Sequence, residues 1–335
     1  MTKRDRVISA VNHIDTGFVP YNIFLTMQAH DSLIDYVNDP DYINRIGNHI
    51  AQAYYDGYPE ETEPGAGYWK DQFGVLWNRN GADKDIGVIE GLQIPEPTLS
   101  GYTFPKLDEA RIRENYEQVL ADAGDKCTIG AIGFSMFERA WTLRGMENLL
   151  ADMVMEPDFV DELLDAICAY NLKIIDIGLE YPIDGFHFGD DWGQQKGLIM
   201  GPNYWRRFIK PRQKIMYEKV RAAGKFVSQH SCGDIQEIFP DLIDIGLNVY
   251  QTFQPEIYDI PTVKREFGKD LTFWGGISTQ RVLPFVKPEE VKNVTREMIR
   301  VMGSGGGYIA APTHSVPADV PSENIVALVE AFQNQ

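Results

Sequence analysis

Apolar positions along this chain fall into two alternating rhythms, one helical and one extended. Val7, Ile8, Val11 and Ile14 sit at helical spacing over residues 2 to 14, and Val19 to Leu25 then reads as a first strand. From Asp31 to about Tyr58 the pattern is helical and aromatic. Trp69 to Trp77 and Ile86 to Ile89, separated by a polar stretch with Asn80-Gly81, predict a hairpin inserted into the main fold, and the Pro95 and Pro97 loop follows it.

Beyond residue 110 strand and helix alternate. Helices are predicted over 110 to 123, after Gly145 (Leu149, Leu150, Met153), from Pro157 (Val160, Leu163, Leu164, Ile167, Ile174, Ile175), and over 204 to 223, 234 to 243, 288 to 302 and 322 to 332. Strands are predicted at 127 to 132, 185 to 188, 226 to 230, 249 to 252, 271 to 276 and 308 to 311. Repeated strand and helix units mean parallel strands with helical crossovers, and about eight of them imply a closed (β/α)8 barrel of the TIM type. The chain reads as one domain over 1–335. Residues 1–109 form an N-terminal helical and hairpin extension with the first strand, and 110–335 carry the main barrel units. Residues that follow the strands then share one rim, which gathers Asp190, Asp191, His230, Cys232, Gln254, Trp274 and His314.

Composition narrows the class. With 31 basic and 49 acidic residues the formal net charge is −18, which disfavours nucleic acid and anionic membranes as partners. No apolar run approaches the roughly 18 residues of a bilayer span, and the N-terminus has no signal-peptide core, so a cytoplasmic protein is expected. Cys127, Cys168 and Cys232 are too few and too scattered for a disulfide framework.

The candidate chemistry centres on Gln229-His230-Ser231-Cys232-Gly233. Residues two apart on extended chain point the same way, so His230 and Cys232 can offer a nitrogen and a sulfur to one point. Zinc takes such donors in a tetrahedral shell, with three protein ligands and one open position in catalytic sites. His314, which ends the run Tyr308 to Thr313, is the candidate third ligand. Packing of a buried histidine beside a cysteine, or a loop histidine capping backbone groups, would give the same residues. Glu138, soon after a strand, fits a fourth ligand, a proton donor, or a salt bridge with Arg139 or Arg144. Asp190 and Asp191 fit substrate binding and proton relay, or capping of a neighbouring segment. Trp192, Trp274, Tyr21, Phe24 and Phe253 are candidate walls for an aromatic substrate. His187, between Phe186 and Phe188, reads as core.

Nearly the whole chain resembles the uroporphyrinogen decarboxylase superfamily. The likeness is carried by Arg4 to Val11 with Val19-Pro20, Trp141 to Asn148, Gly189-Asp190-Asp191-Trp192-Gly193, His230-Ser231-Cys232-Gly233, and Ala311 to His314 through Pro321 to Asn324. It implies a (β/α)8 barrel. The arginine-rich substrate segment of the decarboxylases is replaced here by Ile23 to His30. The zinc methyltransferases of the superfamily, which exchange methyl groups with a corrinoid protein, have an H-x-C pair and a distant cysteine that match His230, Cys232 and position 314. Here His314 stands where that third cysteine would be. One thiolate and two imidazoles leave zinc with net positive charge, a stronger Lewis acid suited to an ether oxygen. The resemblance therefore implies transfer of methyl from a small methylated substrate, an aromatic methyl ether first, to the cob(I)alamin of a partner corrinoid protein. A decarboxylase and a methylcobalamin:thiol methyltransferase are the alternatives, and a homodimer is the expected assembly.

Overall fold

The computed structural model describes residues 1–81 and 87–335. Seven parallel strands follow one another around the sheet in chain order: β1 (Ile50–Tyr55), β2 (Cys127–Ile132), β3 (Gly185–Gly189), β4 (Phe226–His230), β5 (Val249–Phe253), β6 (Thr272–Ile277) and β7 (Tyr308–Pro312). The gap between β7 and β1 is bridged by the segment around Tyr21, the predicted first strand, which makes only isolated bridges. Tyr21 pairs in parallel with Ala310, with Asn22 N donating to Ala310 O at 3.0 Å and Ala310 N to Pro20 O at 2.8 Å. On the other side His49 N donates to Tyr21 O at 3.0 Å, and Asn22 Oδ1 accepts from Ile50 N at 3.2 Å. Eight segments thus close a barrel.

Barrel strands are buried on both faces, which explains near-continuous runs such as Cys127–Ile132, buried at every position. Helices wrap the outside. The longest, Pro157–Leu179, starts with proline at its first turn and buries all six residues of its predicted stripe. Among the described residues no helix is long and apolar enough to cross a membrane.

Two expectations about the N-terminal third need correction. The helical reading of 31 to 58 holds only for Met27–Val37 and Tyr42–Ile46; Ile50–Tyr55 is a barrel strand. Ile50, Tyr54 and Tyr55 favour a strand while Ala51-Gln52-Ala53 do not, and pairing with β2 settles the segment as extended. The extension over 1–109 therefore contributes two of the barrel's walls. Trp69 to Trp77 is also not one strand. Tyr68–Lys70 and Leu76–Asn78 pair with each other around a turn in which Gly74 takes φ +87° and Asp71 accepts from Val75 N. Leu76–Asn78 then pairs with Val88–Glu90, and Glu60–Glu61 adds an outer strand. The rest of the predicted hairpin, Ala82 to Ile86, lies outside the described residues.

This small antiparallel sheet is fastened to the barrel by a buried ion pair. Arg139 Nη1 donates to Asp71 at 2.7 Å, and its guanidinium lies 3.9 Å from the ring centre of Phe73. The attachment fixes where Trp77 and Arg79 stand above the barrel mouth.

Candidate active site and metal centre

His230 ends β4 and Cys232 lies two residues further on, where the chain turns at Gly233 with φ +78°. A Cβ on Gly233 would lie 2.2 Å from Gly193 C, and one on Gly193 would lie 2.6 Å from Cys232 O. The two glycines let the loop after β3 press backbone to backbone on the His230–Gly233 turn. Asp190 N donates to His230 O (3.2 Å), Trp192 N to Ser231 Oγ (3.0 Å) and Asp234 N to Gln194 O (2.8 Å). These contacts pack the turn against the loop after β3.

His230 Nδ1 donates to Gln251 Oε1, which turns Nε2 toward Cys232 and Asp191. Nε2 lies 3.6 Å from Cys232 Sγ. For nitrogen and sulfur ligands of one tetrahedral zinc the expected edge is about 3.5 Å. His314 completes the group: the ligand atoms of His230, Cys232 and His314 all lie within 4.8 Å of one another. It is delivered by Thr313, whose N donates to Ile277 O at 2.9 Å, whose carbonyl accepts from Thr252 Oγ1, and whose Oγ1 accepts from Thr279 N at 3.2 Å. Donor types, tautomer and spacing fit a zinc ion.

Asp191 enters the same cluster. Its Oδ1 lies 3.2 Å from His230 Nε2 and accepts from Cys232 N at 2.8 Å. Burial alone would disfavour charge on both groups, yet each supports the other. The Cys232 sulfur and the Asp191 carboxylate hold His230 well above its ordinary pKa, and His230 takes Asp191 down to about 2. Glu138 shows the opposite behaviour. Burial first, then the charges of Asp191 and Asp190, push its carboxyl well above the usual carboxylate range, which favours its protonated form.

A cavity of about 810 Å³ opens over the cluster, lined by His230, His314, Asp191 and Glu138 among others. Its walls include two aromatic pairs, Phe24 with Trp274 (ring centres 6.4 Å apart) and Trp77 with Phe134 (5.4 Å). Of the five predicted aromatic walls, only Phe24 and Trp274 line it. Trp192 is buried against Trp205, Tyr21 stacks on Phe332, and Phe253 stacks on Tyr258. Asp190 also stands outside the cavity. Its carboxylate accepts from Met136 N, Phe137 N and Glu138 N and from Trp192 Nε1, so it caps the helix Phe137–Arg144. Arg139 pairs with Asp71 and Arg144 with Asp152, which leaves Glu138 without either of the salt bridges considered for it.

Residues not assigned to the site from sequence also face the cavity. His187 is buried, as its strand position implied, but it lines the cavity with Nδ1 2.9 Å from Ser228 Oγ; burial takes its pKa down to about 3 and keeps it neutral. Gln251 orients His230, and Trp77 and Arg79 arrive from the antiparallel insert. Period-2 parity within β3 and β5 could have pointed to His187 and Gln251; nothing local marks Trp77 or Arg79.

A parallel barrel with a nitrogen and sulfur cluster at the C-terminal rim defines a class of enzyme-like folds, and comparison with known proteins narrows it. Residues 108–335 match the uroporphyrinogen decarboxylase (URO-D) family, and the chain belongs to that family. It is 25% identical over 201 residues to the methylated-thiol–coenzyme M methyltransferase of Methanosarcina mazei, covering 58% of this chain and 50% of that protein. It is 24% identical over 192 residues to the uroporphyrinogen decarboxylase of Coxiella burnetii, covering 55% and 50%. The matches thus span about half the length of these relatives. A solved methyltransferase from Methanosarcina mazei superposes with a TM-score of 0.76 at 18% identity, over 99% of this chain and 98% of that one, and shares its fold.

Proposed function

We propose that the chain is a zinc-dependent methyltransferase that cleaves a methyl ether, an aromatic one first, and passes the methyl to the cob(I)alamin of a partner corrinoid protein. The observation that carries this reading is the His230, Cys232 and His314 cluster on the wall of a roughly 810 Å³ cavity with aromatic sides. Zinc held there would supply a Lewis acid of net positive charge toward an ether oxygen. Phe24 and Trp274, together with Trp77 and Phe134, supply aromatic walls for an aryl ring. Glu138 keeps a proton for the leaving oxygen. A partner-bound corrinoid would supply the methyl acceptor; on this chain, Glu138 would pass its proton to the phenoxide oxygen as the carbon–oxygen bond breaks. The protein itself contributes no nucleophile, and a homodimer is retained as the expected assembly.

The Methanosarcina relative's name favours a second reading, transfer involving a methylated thiol. A porphyrinogen decarboxylase is less well supported: among the described residues lining the cavity, Arg79 is the one lysine or arginine, too few for a polycarboxylate.

The test is methyl transfer to free cob(I)alamin by the zinc-loaded protein, with methoxybenzoates, methylated thiols and porphyrinogens offered separately. Methylcobalamin formed from the methoxylated compounds supports the proposal. Formation from thiols alone, or release of carbon dioxide from a porphyrinogen, contradicts it.

A further inference from the structure

His187 reads as core from its strand, yet it lines the floor of the cavity. We propose that His187 is a specificity-determining residue whose Nε2 hydrogen-bonds a hydroxyl on the substrate ring, remote from the methoxy group, so that methoxyphenols are the preferred substrates. This rests on the methyl ether reading given above and names the chemistry at the far end of the ring.

Parity and register place the imidazole. Gly189 pairs with His230 and His187 with Ser228, so His187 lies two residues deeper along β3, about 6–7 Å below the level of His230. His187 and Gly189 share the inward face, and both line the cavity. With no side chain at Gly189, nothing from β3 fills the space above His187. The ring centres of His187 and His230 are 6.4 Å apart, a gap that a benzene ring with one substituent spans. An aryl ether with its oxygen at the cluster can thus reach His187 with the far side of its ring.

Two polar groups at this depth are left without protein partners. His187 Nδ1 is held 2.9 Å from the buried Ser228 Oγ, and Nε2 has no hydrogen-bond partner among the described residues. Trp274, whose ring centre lies 5.7 Å from that of His187, is buried with its indole N–H unpartnered. A ligand oxygen beside them would supply what the protein leaves unmet. A neutral hydroxyl suits the place best. It can donate or accept, so it matches either tautomer of His187. A buried carboxylate would need a cation, and the one lysine or arginine among the described cavity-lining residues, Arg79, stands on the insert above the mouth.

Calorimetry on the zinc-loaded full chain, without corrinoid so that nothing turns over, compares the binding of 4-methoxyphenol with that of anisole. The parent is expected to bind 4-methoxyphenol about tenfold or more tightly than anisole. His187→Leu is expected to bring the two compounds level with zinc content unchanged, and His187→Gln, which keeps a polar group near the Nε2 position, to restore part of the preference. Equal binding of the two compounds by the parent overturns the inference alone. So does a His187→Leu variant that keeps the preference or weakens both compounds by the same factor. A parent that binds neither compound overturns the aryl ether reading as well. Should His187→Leu fail to fold, the nitrogen-15 spectrum of the histidine-labelled parent decides. The Nε2 signal of His187 must move with 4-methoxyphenol and stay in place with anisole; a signal that ignores both, or follows both alike, overturns the inference.

Discussion

Gln251 Oε1 accepts the Nδ1 proton of His230, and this single bond decides which face of the imidazole is offered to a metal. Removing such an outer partner weakens metal sites by about 10–100-fold. Gln251→Leu is therefore expected to lower zinc affinity by that factor without unfolding the barrel, as measured by chelator competition. Unchanged affinity would mean that the bond does not set the tautomer.

Glu138→Gln removes the proton donor and leaves the cluster intact. Turnover is expected to fall by about 10²–10⁴-fold with zinc content unchanged. In the parent, turnover requires the protonated acid. Because the Glu138 pKa is raised by burial and by Asp191 and Asp190, activity is expected to persist to higher pH than an ordinary glutamic acid would allow and to fall as pH rises through that raised value. An alkaline limb that survives in Glu138→Gln would assign it to another group.

The metal-free site has its own pH dependence. His230 is raised above its unfolded value of 6.5, so its contribution to stability is complete below 6.5 and is lost as pH rises through the folded value. Asp191 is lowered from 3.8 to about 2, so its contribution is present above 3.8 and is lost as pH falls toward 2. Stability of the metal-free protein contributed by this pair is thus greatest between about 4 and 6.5. Zinc affinity should move the other way on the alkaline side, rising with pH as the His230 proton is shed. Denaturant titrations at several pH values, with and without zinc, check both signs.

Asp190 belongs to the scaffold. Replacing it by alanine leaves three helix N-terminal amides and the Trp192 indole without their acceptor, with an expected loss of about 2–4 kcal/mol in denaturant unfolding. Glu138 rides on that helix, so activity should fall along with stability. A variant as stable as the parent would contradict the capping role.

Much of the fold was legible because strand and helix periods differ, and β2 to β7 all lie where that difference places them. The strand Ile50–Tyr55 was hidden because its centre, Ala51-Gln52-Ala53, carries no strand preference, and pairing with β2 makes it extended. The same limit applies to the site. His230 and Cys232 share a face by simple parity, and His314 follows a strand. Asp190, by contrast, finds its partners more than fifty residues upstream, which no local pattern records. Phe253 was misplaced because the register between β5 and β6 shifts between Gln251 and Phe253, turning Gln251 to the cavity and Phe253 to Tyr258.

The central claim is the metal site, and metal content of the purified protein tests it most directly. Under zinc-replete, reducing conditions the parent is expected to hold about one zinc per chain, and His230→Ala, Cys232→Ala and His314→Ala to lose it. A metal-free parent, or variants that keep their zinc while folded, would contradict the account.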